Sequence, residues 1–339
     1  MSSYIKNLQV IGLHNRFNIN QDFYPGINVI FGVNGGCKTT MLHILANALN
    51  SDFDRFAFLT FNEITIEFDD AKTIRLNRKI EKGEFGELTD YSIIVELDES
   101  EILGRIPVYD TVSSEESLLL SGNHEAYSKV KLTKPRKLFP TFYVPAFRSV
   151  IDAWKSSIRR KEQNFNDEEV NDQVTLFVRR WLLPFIPRID YPSLIEIEQS
   201  LVRSSEQSFY IQNYLTSLNR YLDGKKVVIN NDPENSQETI VELIYDDGFR
   251  SKHLAALSSG ERQIAILFYA TNQARDEEII LIDEPEISLH VDWQRSLVED
   301  IAKHRQNHQI IACTHSPVIG ADEDHRVELN VEPSSVNDF

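Results

Sequence analysis

The pattern of hydrophobic and polar positions indicates strands in the first third of the chain. Short runs of β-branched and aromatic residues are separated there by clusters of Gly, Asn and Asp, which is typical of strands joined by turns. The runs predict strands at residues 5–11, 27–31, 64–68, 73–76 and 92–97. Residues 38–49 predict a helix directly after the second of these strands.

The pattern changes in the middle of the chain. Between residues 149 and 223, apolar residues recur at three- and four-residue intervals, which predicts helices interrupted by Pro184 and Pro187. Strands are predicted again at residues 227–229 and 239–245, and the chain then alternates between helix and strand. Residues 98–140 have no legible pattern. The alternation favours an α/β fold with a parallel sheet.

Length and charge narrow the possible functions. With 339 residues, the chain predicts one large α/β domain with an inserted lobe, or two domains. Its formal charge of -17 repels polyanions on average, which excludes nucleic-acid affinity spread over the whole surface. Two basic stretches, residues 129–137 and 155–161, are local exceptions. They form either a solvated basic face or a patch for nucleic acid or an acidic partner.

The same composition bears on the cellular compartment. No apolar run approaches the ~18 residues that a membrane span requires, and residues 1–20 lack a signal-peptide core. Cys37 and Cys313 are the two cysteines of the chain, too few for a disulfide framework. We therefore expect a cytoplasmic protein that has no membrane contact.

The stretch FGVNGGCKTT, residues 31–40, has the form of a phosphate-binding loop between a strand and a helix. Glycines let backbone N–H groups curl around a phosphate at a helix N-terminus, where unpaired amides and the helix dipole favour an anion. Lys38 would then reach the β- and γ-phosphates of a nucleotide, and Thr39 would offer its hydroxyl to Mg²⁺. The alternative is a chance glycine turn, which Cys37, in place of the usual glycine, keeps open.

The stretch IILIDEP, residues 279–285, is an apolar run that ends in two carboxylates. This form is typical of a buried parallel strand that delivers acidic groups to the carboxyl edge of a sheet. Asp283 suits a Mg²⁺ ligand, and Glu284 suits a general base that orients or deprotonates a water molecule. Paired acids after a strand also occur as plain helix caps.

The stretch LSSGERQ, residues 257–263, predicts the start of a helix. Ser258 and Ser259 are cap candidates, and Gly260 offers an exposed amide, so this N-terminus can receive a phosphate. An ordinary capped helix is the alternative.

The stretch IIACTHSP, residues 310–317, is another apolar strand, and it ends in His315. The imidazole can contact a γ-phosphate or hold the attacking water, although a histidine after a strand is more often structural. Four such motifs in this order are hard to obtain by accident.

Taken together, the four motifs resemble the ABC-type ATPase heads of the RecF/SMC-like group. The resemblance is strongest to stand-alone bacterial AAA-family ATPases related to the overcoming-lysogenisation-defect nucleases and to the Septu and retron-associated ATPases of phage defence. It covers residues 5–50 and 254–320. It implies a P-loop NTPase of ABC-ATPase type with an antiparallel β subdomain and an inserted helical lobe. The implied head comprises residues 1–148 and 225–339, and the lobe residues 149–224.

The resemblance also implies the site residues and the cofactors, ATP and Mg²⁺. The catalytic residues are Lys38, Glu284 and His315, and the metal ligands are Thr39 and Asp283. The nucleotide-binding residues are Gly32, Asn34, Gly35, Gly36, Cys37, Lys38, Thr39, Thr40, Ser258, Ser259, Gly260 and, by a weaker match, Arg16. Two heads are expected to clasp ATP head to tail, with Ser258 and Gly260 of one head meeting the γ-phosphate held by Lys38 of the other.

The chain departs from the pattern of the group at two places. Cys37 replaces a glycine, which leaves three interpretations: a loop that accommodates the small side chain, a site that binds nucleotide but hydrolyses it poorly, or a redox-sensitive thiol whose pKa is lowered by the helix N-terminus and a lysine. The segment YVPAFRS, residues 143–149, lies where the group has a sensor loop, but it contains no glutamine, so Arg148 is only a guess for that role.

The resulting interpretation is an ATPase that dimerises on ATP and controls a separate effector, such as a nuclease or toxin, in anti-phage defence. After His315 too few residues remain for a nuclease domain of the kind that follows the head in the nuclease relatives. Two alternatives stay open. One is a nucleotide-gated scaffold with little hydrolysis, and the other is a DNA-binding repair clamp.

Overall fold

The computed structural model describes residues 3–82, 88–98, 101–107, 141–146, 187, 193–203, 209–231, 239–273, 279–303, 308–321, 324 and 326–334. The strands are β1 (Ile5–Leu13), β2 (Phe17–Asp22), β3 (Ile27–Phe31), β4 (Glu63–Phe68), β5 (Thr73–Lys82), β6 (Leu88–Leu97), β7 (Glu101–Pro107), β8 (Thr141–Val144), β9 (Lys225–Asn231), β10 (Thr239–Tyr245), β11 (Arg250–Ser251), β12 (Ile279–Asp283), β13 (Ile310–Thr314), β14 (Arg326–Glu328) and β15 (Val331–Pro333). The helices are α1 (Lys38–Leu49), α2 (Leu194–Arg203), α3 (Phe209–Asn219), α4 (Ser259–Gln273) and α5 (Val291–Lys303), with 3₁₀ turns at Phe53–Phe58 and Leu254–Ala256.

A five-stranded parallel sheet carries the candidate motifs. Its strand order is β14-β3-β13-β12-β8, and each neighbouring pair is parallel. Along β12, Ile280 and Ile282 join the core on one face of the sheet, while Ile279 and Leu281 join the core on the other. The continuous apolar sequence of this strand therefore follows from burial on both faces.

One face of the parallel sheet is covered by α1 and by a second, larger sheet. The larger sheet is antiparallel, with the order β15-β2-β1-β4-β5-β6-β7. Met41, Leu42 and Leu45 of α1 are fully buried in the same apolar cluster as residues of both sheets. The helix is apolar on most sides because it lies between the two sheets.

The other face of the parallel sheet packs against helices and a small sheet. Buried residues of α2, α3, α4 and α5 form one cluster with β9, β10 and the second face of β12 and β13. The small sheet has the order β11-β10-β9. The two described helices of the region between residues 149 and 224, α2 and α3, thus share their core with α4.

These observations confirm the α/β fold and the antiparallel β subdomain. The predicted helix at residues 38–49 has the observed bounds of α1, and each predicted strand lies within or overlaps an observed one. The domain boundaries at 148/149 and 224/225 stay predictions, since residues 147–186 lie outside the described part. Within the described residues, no helix combines the length and apolar character needed to cross a membrane.

Candidate functional site

The loop between β3 and α1 holds the side chain of Lys38 beneath it. Lys38 is 4% exposed, and its Nζ donates hydrogen bonds to the carbonyl oxygens of Gly32, at 2.9 Å, and Val33, at 3.0 Å. Burial lowers the pKa of Lys38, although Cys313 and nearby carboxylates act in the opposite direction. The ammonium group therefore lies inside the loop, where a bound anion would be surrounded by backbone amides.

Cys37 occupies the residue before α1 in a left-handed backbone conformation. Its φ of 62° and ψ of 13° explain why related loops have glycine here, because a side chain makes this conformation costly. The expected fall in the thiol pKa is wrong. Burial raises the pKa of Cys37, and the charge of Arg16 only partly opposes that. Burial is the largest influence on the pKa of this thiol, and its direction removes the premise of the redox interpretation.

Thr39 and Asp283 are brought together at the carboxyl edge of the parallel sheet. The Thr39 hydroxyl lies 3.2 Å and 3.1 Å from the two carboxylate oxygens of Asp283, which is 2% exposed. A hydroxyl and a carboxylate are ligand types that Mg²⁺ prefers, with water and phosphate oxygens completing its shell. The two residues fit a magnesium ion in chemistry and proximity.

Glu284 and His315 meet at the ends of the neighbouring strands β12 and β13. Nε2 of His315 lies 3.4 Å from Oε1 of Glu284, and Nδ1 lies 3.3 Å from Nζ of Lys38. Because the ammonium of Lys38 can only donate, these contacts fit Nδ1 as an acceptor from Lys38 and Nε2 as a donor to Glu284. Glu284 also has a positive φ of 44°, and such strained backbone is concentrated at functional sites.

A cavity of about 380 Å³ opens beside this constellation. Its volume lies in the range of small-ligand sites, about 300–1,000 Å³. Most of the predicted loop residues line it, and so does Arg16, whose guanidinium lies 5.1 Å from the centre of the Phe17 ring. The lining residues are His14, Arg16, Phe17, Gly35, Gly36, Cys37, Lys38, Thr39, Thr40 and His315. His14 was not predicted; its only sequence signal is its place beside Arg16 in the turn between β1 and β2.

The start of α4 is a separate feature. The backbone N–H of Ser258 donates to Oε2 of Glu261 at 2.7 Å, and the N–H of Glu261 reaches the hydroxyl of Ser258 at 3.5 Å. This reciprocal pair is a capping box, which accounts for Ser258 and Glu261 structurally. Ser258 and Ser259 are exposed, and neither they nor Gly260 line the cavity that contains Lys38. One chain thus does not bring its two phosphate-handling motifs together around that cavity.

Gly260 has a packing role within the chain. A Cβ atom at this position would lie 2.5 Å from the carbonyl oxygen of Ser288 and 3.5 Å from the ring of Trp293. The first turn of α4 therefore packs directly on the segment that follows Glu284. Ser288 itself has a φ of 63°.

Some predicted residues cannot be placed. Arg148 and the two basic stretches, residues 129–137 and 155–161, lie outside the described residues. Two further side chains near His315, Glu286 and Gln294, were not predicted as site residues. Their role depends on tertiary contacts that a local motif does not encode.

Comparison with known proteins also indicates an ATPase, in agreement with the geometry of the site. The family described as "AAA domain, putative AbiEii toxin, Type IV TA system" matches residues 27–322. The "Retron Ec83 probable ATPase" of Escherichia coli is 30% identical over an alignment of 95 residues, and the match covers 24% of this chain. The aligned segment spans only 18% of the length of that relative.

Solved structures of SMC head domains are similar over nearly the whole chain. The head from Thermotoga maritima is 13% identical, with 98% of this chain and 99% of that chain covered and a TM-score of 0.45. The head from Pyrococcus furiosus, bound to the C-terminal domain of ScpA, is 15% identical, with 98% and 96% covered and a TM-score of 0.47. Because these TM-scores are below 0.5, the assignment of the chain to a family does not use the structural matches. It depends on the family match and on the observed topology and motifs.

The matched segment begins at the first residue of β3 and ends beyond His315, so it includes the phosphate loop, the start of α4, the acidic pair and the histidine. It also spans most of the chain, which confirms the predicted resemblance to stand-alone AAA-type ATPases with an ABC-type arrangement of motifs. The chain therefore belongs to this AAA-domain family of P-loop ATPases.

Proposed function

We propose that the protein binds Mg²⁺-ATP in the cavity at the edge of the parallel sheet, hydrolyses it, and uses the bound state to close a head-to-tail homodimer that controls a separate effector. The observation that carries the proposal is the convergence of Lys38, Thr39–Asp283 and Glu284–His315 at the ends of three adjacent parallel strands. A ligand at the carboxyl edge of such a sheet is the general rule for α/β folds.

The chemistry assigned to the chain is positioning and charge neutralisation. Lys38 and the amides of residues 35–39 would hold the β- and γ-phosphates. Glu284 would orient the attacking water or accept a proton from it. His315 would hold the Glu284 carboxylate in place and contact the γ-phosphate. Thr39 and Asp283 would hold Mg²⁺, which supplies positive charge to the phosphate oxygens.

The dimer is proposed because Ser258 and Ser259, at the start of α4, are exposed and lie outside the cavity lining, although Gly260 is buried. Ser258, Ser259 and the Gly260 amide form a helix N-terminus, which suits a phosphate supplied by another copy of the chain. In this arrangement, Ser258 of one protomer would complete the site that contains Lys38 of its partner.

The effector is proposed from the names of related proteins. The family description names a toxin–antitoxin system, and the E. coli relative is named as part of a retron. These names support an ATPase that belongs to a toxin–antitoxin or retron system. That the effector is a separate nuclease or toxin, and that the system acts in the cytoplasm in anti-phage defence, is part of the proposal. The DNA-clamp alternative has no support among the described residues.

A second candidate function is a nucleotide-gated scaffold with little hydrolysis. Its support is the left-handed backbone of Cys37 beneath the phosphate loop. A strained loop can bind nucleotide while holding the γ-phosphate out of line for attack. Turnover therefore separates the two candidates.

The decisive experiment measures ATP hydrolysis, nucleotide affinity and molar mass on the same samples of parent, Lys38→Ala and Glu284→Gln. We expect Lys38→Ala to lose binding. Glu284→Gln should keep binding, lose at least about 100-fold in turnover and accumulate as an ATP-bound dimer. Glu299→Gln removes one exposed carboxylate from α5 and serves as the matched control. Turnover by Glu284→Gln at the parent rate, or unchanged binding by Lys38→Ala, would refute the proposed site.

A further inference from the structure

Glu286 follows the acidic pair by two residues and reaches back to the end of β13. Its Oε1 accepts a hydrogen bond from the backbone N–H of His315 at 2.6 Å and a second from the N–H of Ser316 at 3.1 Å. Consecutive N–H groups that converge on one anion form a nest, and hydrogen bonds to a carboxylate are stronger than neutral ones. One carboxylate oxygen thus fixes the backbone on which the histidine is mounted.

Of the two hydrogen bonds to Glu286, the one from the backbone N–H of His315 has no alternative acceptor among the described residues. The N–H of Ser316 has a second acceptor, the hydroxyl of Thr314 at 2.9 Å, whereas Glu286 is the acceptor found for His315 N–H among the described residues. The other carboxylate oxygen, Oε2, is buried and has no hydrogen-bond partner in that part of the chain. Among the described residues, the carboxylate therefore makes its hydrogen bonds through Oε1 alone, to the backbone of residues 315 and 316.

A second side chain holds the next residue. The hydroxyl of Ser316 donates to Oε1 of Gln294 at 2.6 Å, and Nε2 of Gln294 donates to the carbonyl of Leu289 at 3.0 Å. Glu286 and Gln294 flank the loop that begins at Glu284. The turn after β13 is accordingly attached through Glu286 to the loop that carries Glu284, and through Gln294 to the start of α5, which is itself bonded to that loop.

This attachment determines the relation between His315 and Glu284. Their side chains are 34% and 29% exposed, so packing alone does not hold them at 3.4 Å. An error of about 1 Å in the position of a catalytic group can cost about 100-fold in rate. If the backbone of residue 315 is fixed, the imidazole can move only by rotation of its side chain, so its displacement from Glu284 is limited.

We propose that Glu286 is a positioning residue that acts through the backbone of His315 to hold the imidazole between Lys38 and Glu284. The inference rests on the proposed ATP hydrolysis at this site for its kinetic consequences, but the hydrogen bond itself is a property of the chain without nucleotide. It is a role in positioning and not in binding ATP, because the hydrogen bonds of Glu286 go to the backbone N–H groups of residues 315 and 316.

The kinetic test compares Glu286→Ala, which removes the acceptor, with Glu286→Gln, which keeps a carbonyl oxygen at the same distance from the backbone. We expect Glu286→Ala to lower kcat roughly 10- to 100-fold with the ATP dissociation constant within about threefold of the parent. Glu286→Gln should stay within a few-fold of the parent. Glu299→Ala, at an exposed position of α5, controls for the loss of a carboxylate.

A double-mutant cycle tests whether the effect passes through the histidine. If Glu286 acts through His315, then Glu286→Ala should cost less than about twofold in a His315→Ala background. Equal losses for Glu286→Ala and Glu286→Gln would assign the effect to charge and overturn the proposal. Full additivity with His315→Ala would overturn it as well.

Hydrogen exchange supplies a readout that does not need turnover. In Glu286→Ala, the peptide that covers residues 310–318 should exchange faster at the amide of residue 315, while Glu286→Gln should exchange like the parent. Unchanged exchange in a folded Glu286→Ala variant would refute the positioning role. If the parent does not hydrolyse ATP but the exchange of Glu286→Ala still differs from that of the parent, the proposed ATPase function is refuted and the positioning inference stays intact.

Discussion

Cys37 shows how one residue can meet the geometric demand of a phosphate loop without being glycine. Its left-handed backbone costs about 1–2 kcal/mol for an L residue. The thiol packs against the apolar cluster beneath α1, which offsets part of that cost. The loop therefore keeps its conformation, at the expense of local stability.

A pair of substitutions separates the backbone strain from the thiol. Cys37→Ala and Cys37→Gly both remove the sulfur, but only glycine relieves the positive φ. We expect Cys37→Gly to be more stable than Cys37→Ala by about 1 kcal/mol in urea unfolding. Equal stability of the two variants would show that the loop relaxes to an ordinary conformation when the sulfur is absent.

Gly260 gives a second prediction for a single residue. Alanine in a helix is normally favoured over glycine by about 0.5–1 kcal/mol. Here the new Cβ would meet the backbone carbonyl of Ser288, so Gly260→Ala should instead destabilise the protein by about 1–3 kcal/mol. Ser259→Ala, one position earlier and exposed, is the control in the same unfolding assay. A Gly260→Ala variant as stable as that control would mean that the segment around Ser288 moves freely.

At the level of elements, α5 is joined to the end of α3 by a buried carboxylate. Asp300, with its side chain 2% exposed, accepts hydrogen bonds from Arg220 at 3.0 Å, Lys303 at 2.8 Å and the hydroxyl of Tyr221 at 2.8 Å. Burial acts to raise the pKa of Asp300, but the bonds from Lys303 and Tyr221 and the nearby Arg220 outweigh it, so the pKa lies below 3.8. The ionised form is the one that this junction stabilises.

The sign of that shift predicts an acid-dependent stability. A carboxyl group whose pKa is lower in the folded than in the unfolded state stabilises the fold at pH values above its unfolded-state pKa. This contribution is lost as the pH falls through its folded-state pKa. Asp300→Asn should therefore destabilise the protein by about 2 kcal/mol near pH 7, and the difference should shrink as the pH falls below 3.8. Denaturant unfolding at several pH values checks this, with Glu299→Gln as the exposed control. A difference that does not depend on pH would assign the loss to packing.

Elements differ in how far their sequences predict them. β12 and β13 are apolar up to their last residue because both faces are buried, so their type and their place in a parallel sheet were predictable. No individual strand was predicted at β2, β7, β8, β11, β14 or β15. β11, β14 and β15 have only two or three residues, and β2 is rich in Asn, Gln and Asp, so their sequences carry little strand signal. The motif residues of the cavity followed from local patterns, whereas Glu286 and Gln294 depend on tertiary contacts. The expected fall in the pKa of Cys37 was wrong because burial, which the sequence does not display, raises that pKa, whereas the other two interpretations of Cys37 stay predictions.

At the level of the whole molecule, the position of α4 predicts complementation between two inactive variants. Lys38→Ala and Ser258→Ala should each lower ATP hydrolysis strongly when pure. In a head-to-tail dimer, a mixed pair contains one doubly defective site and one intact site, so mixing the two proteins should restore turnover. The mixture should recover up to about a quarter of the parent rate if the chains pair at random.

The control for complementation is a mixture of Lys38→Ala with Glu284→Gln. Both residues belong to the same half of a site, so this mixture should stay inactive. If activity does not return in the first mixture, Ser258 and Lys38 of the same chain would have to serve one site, and the head-to-tail arrangement would be refuted. A pure Ser258→Ala protein that hydrolyses ATP at the parent rate would exclude Ser258 from catalysis.

The C-terminal part of the chain connects the two large sheets. β14 pairs with β3 in the parallel sheet, and β15 pairs with β2 in the antiparallel one, with only residues 329 and 330 between them. Gln309, at the start of β13, adds a second connection by bonding the backbone N–H and carbonyl of Ile5 in β1. A link of two residues leaves no slack for one sheet to slide on the other. If nucleotide binding drives movement, as proposed, we expect the movement on the opposite side of the parallel sheet, where α4 and its neighbours pack. The half of the molecule that contains the two sheets would then stay rigid while those helices shift.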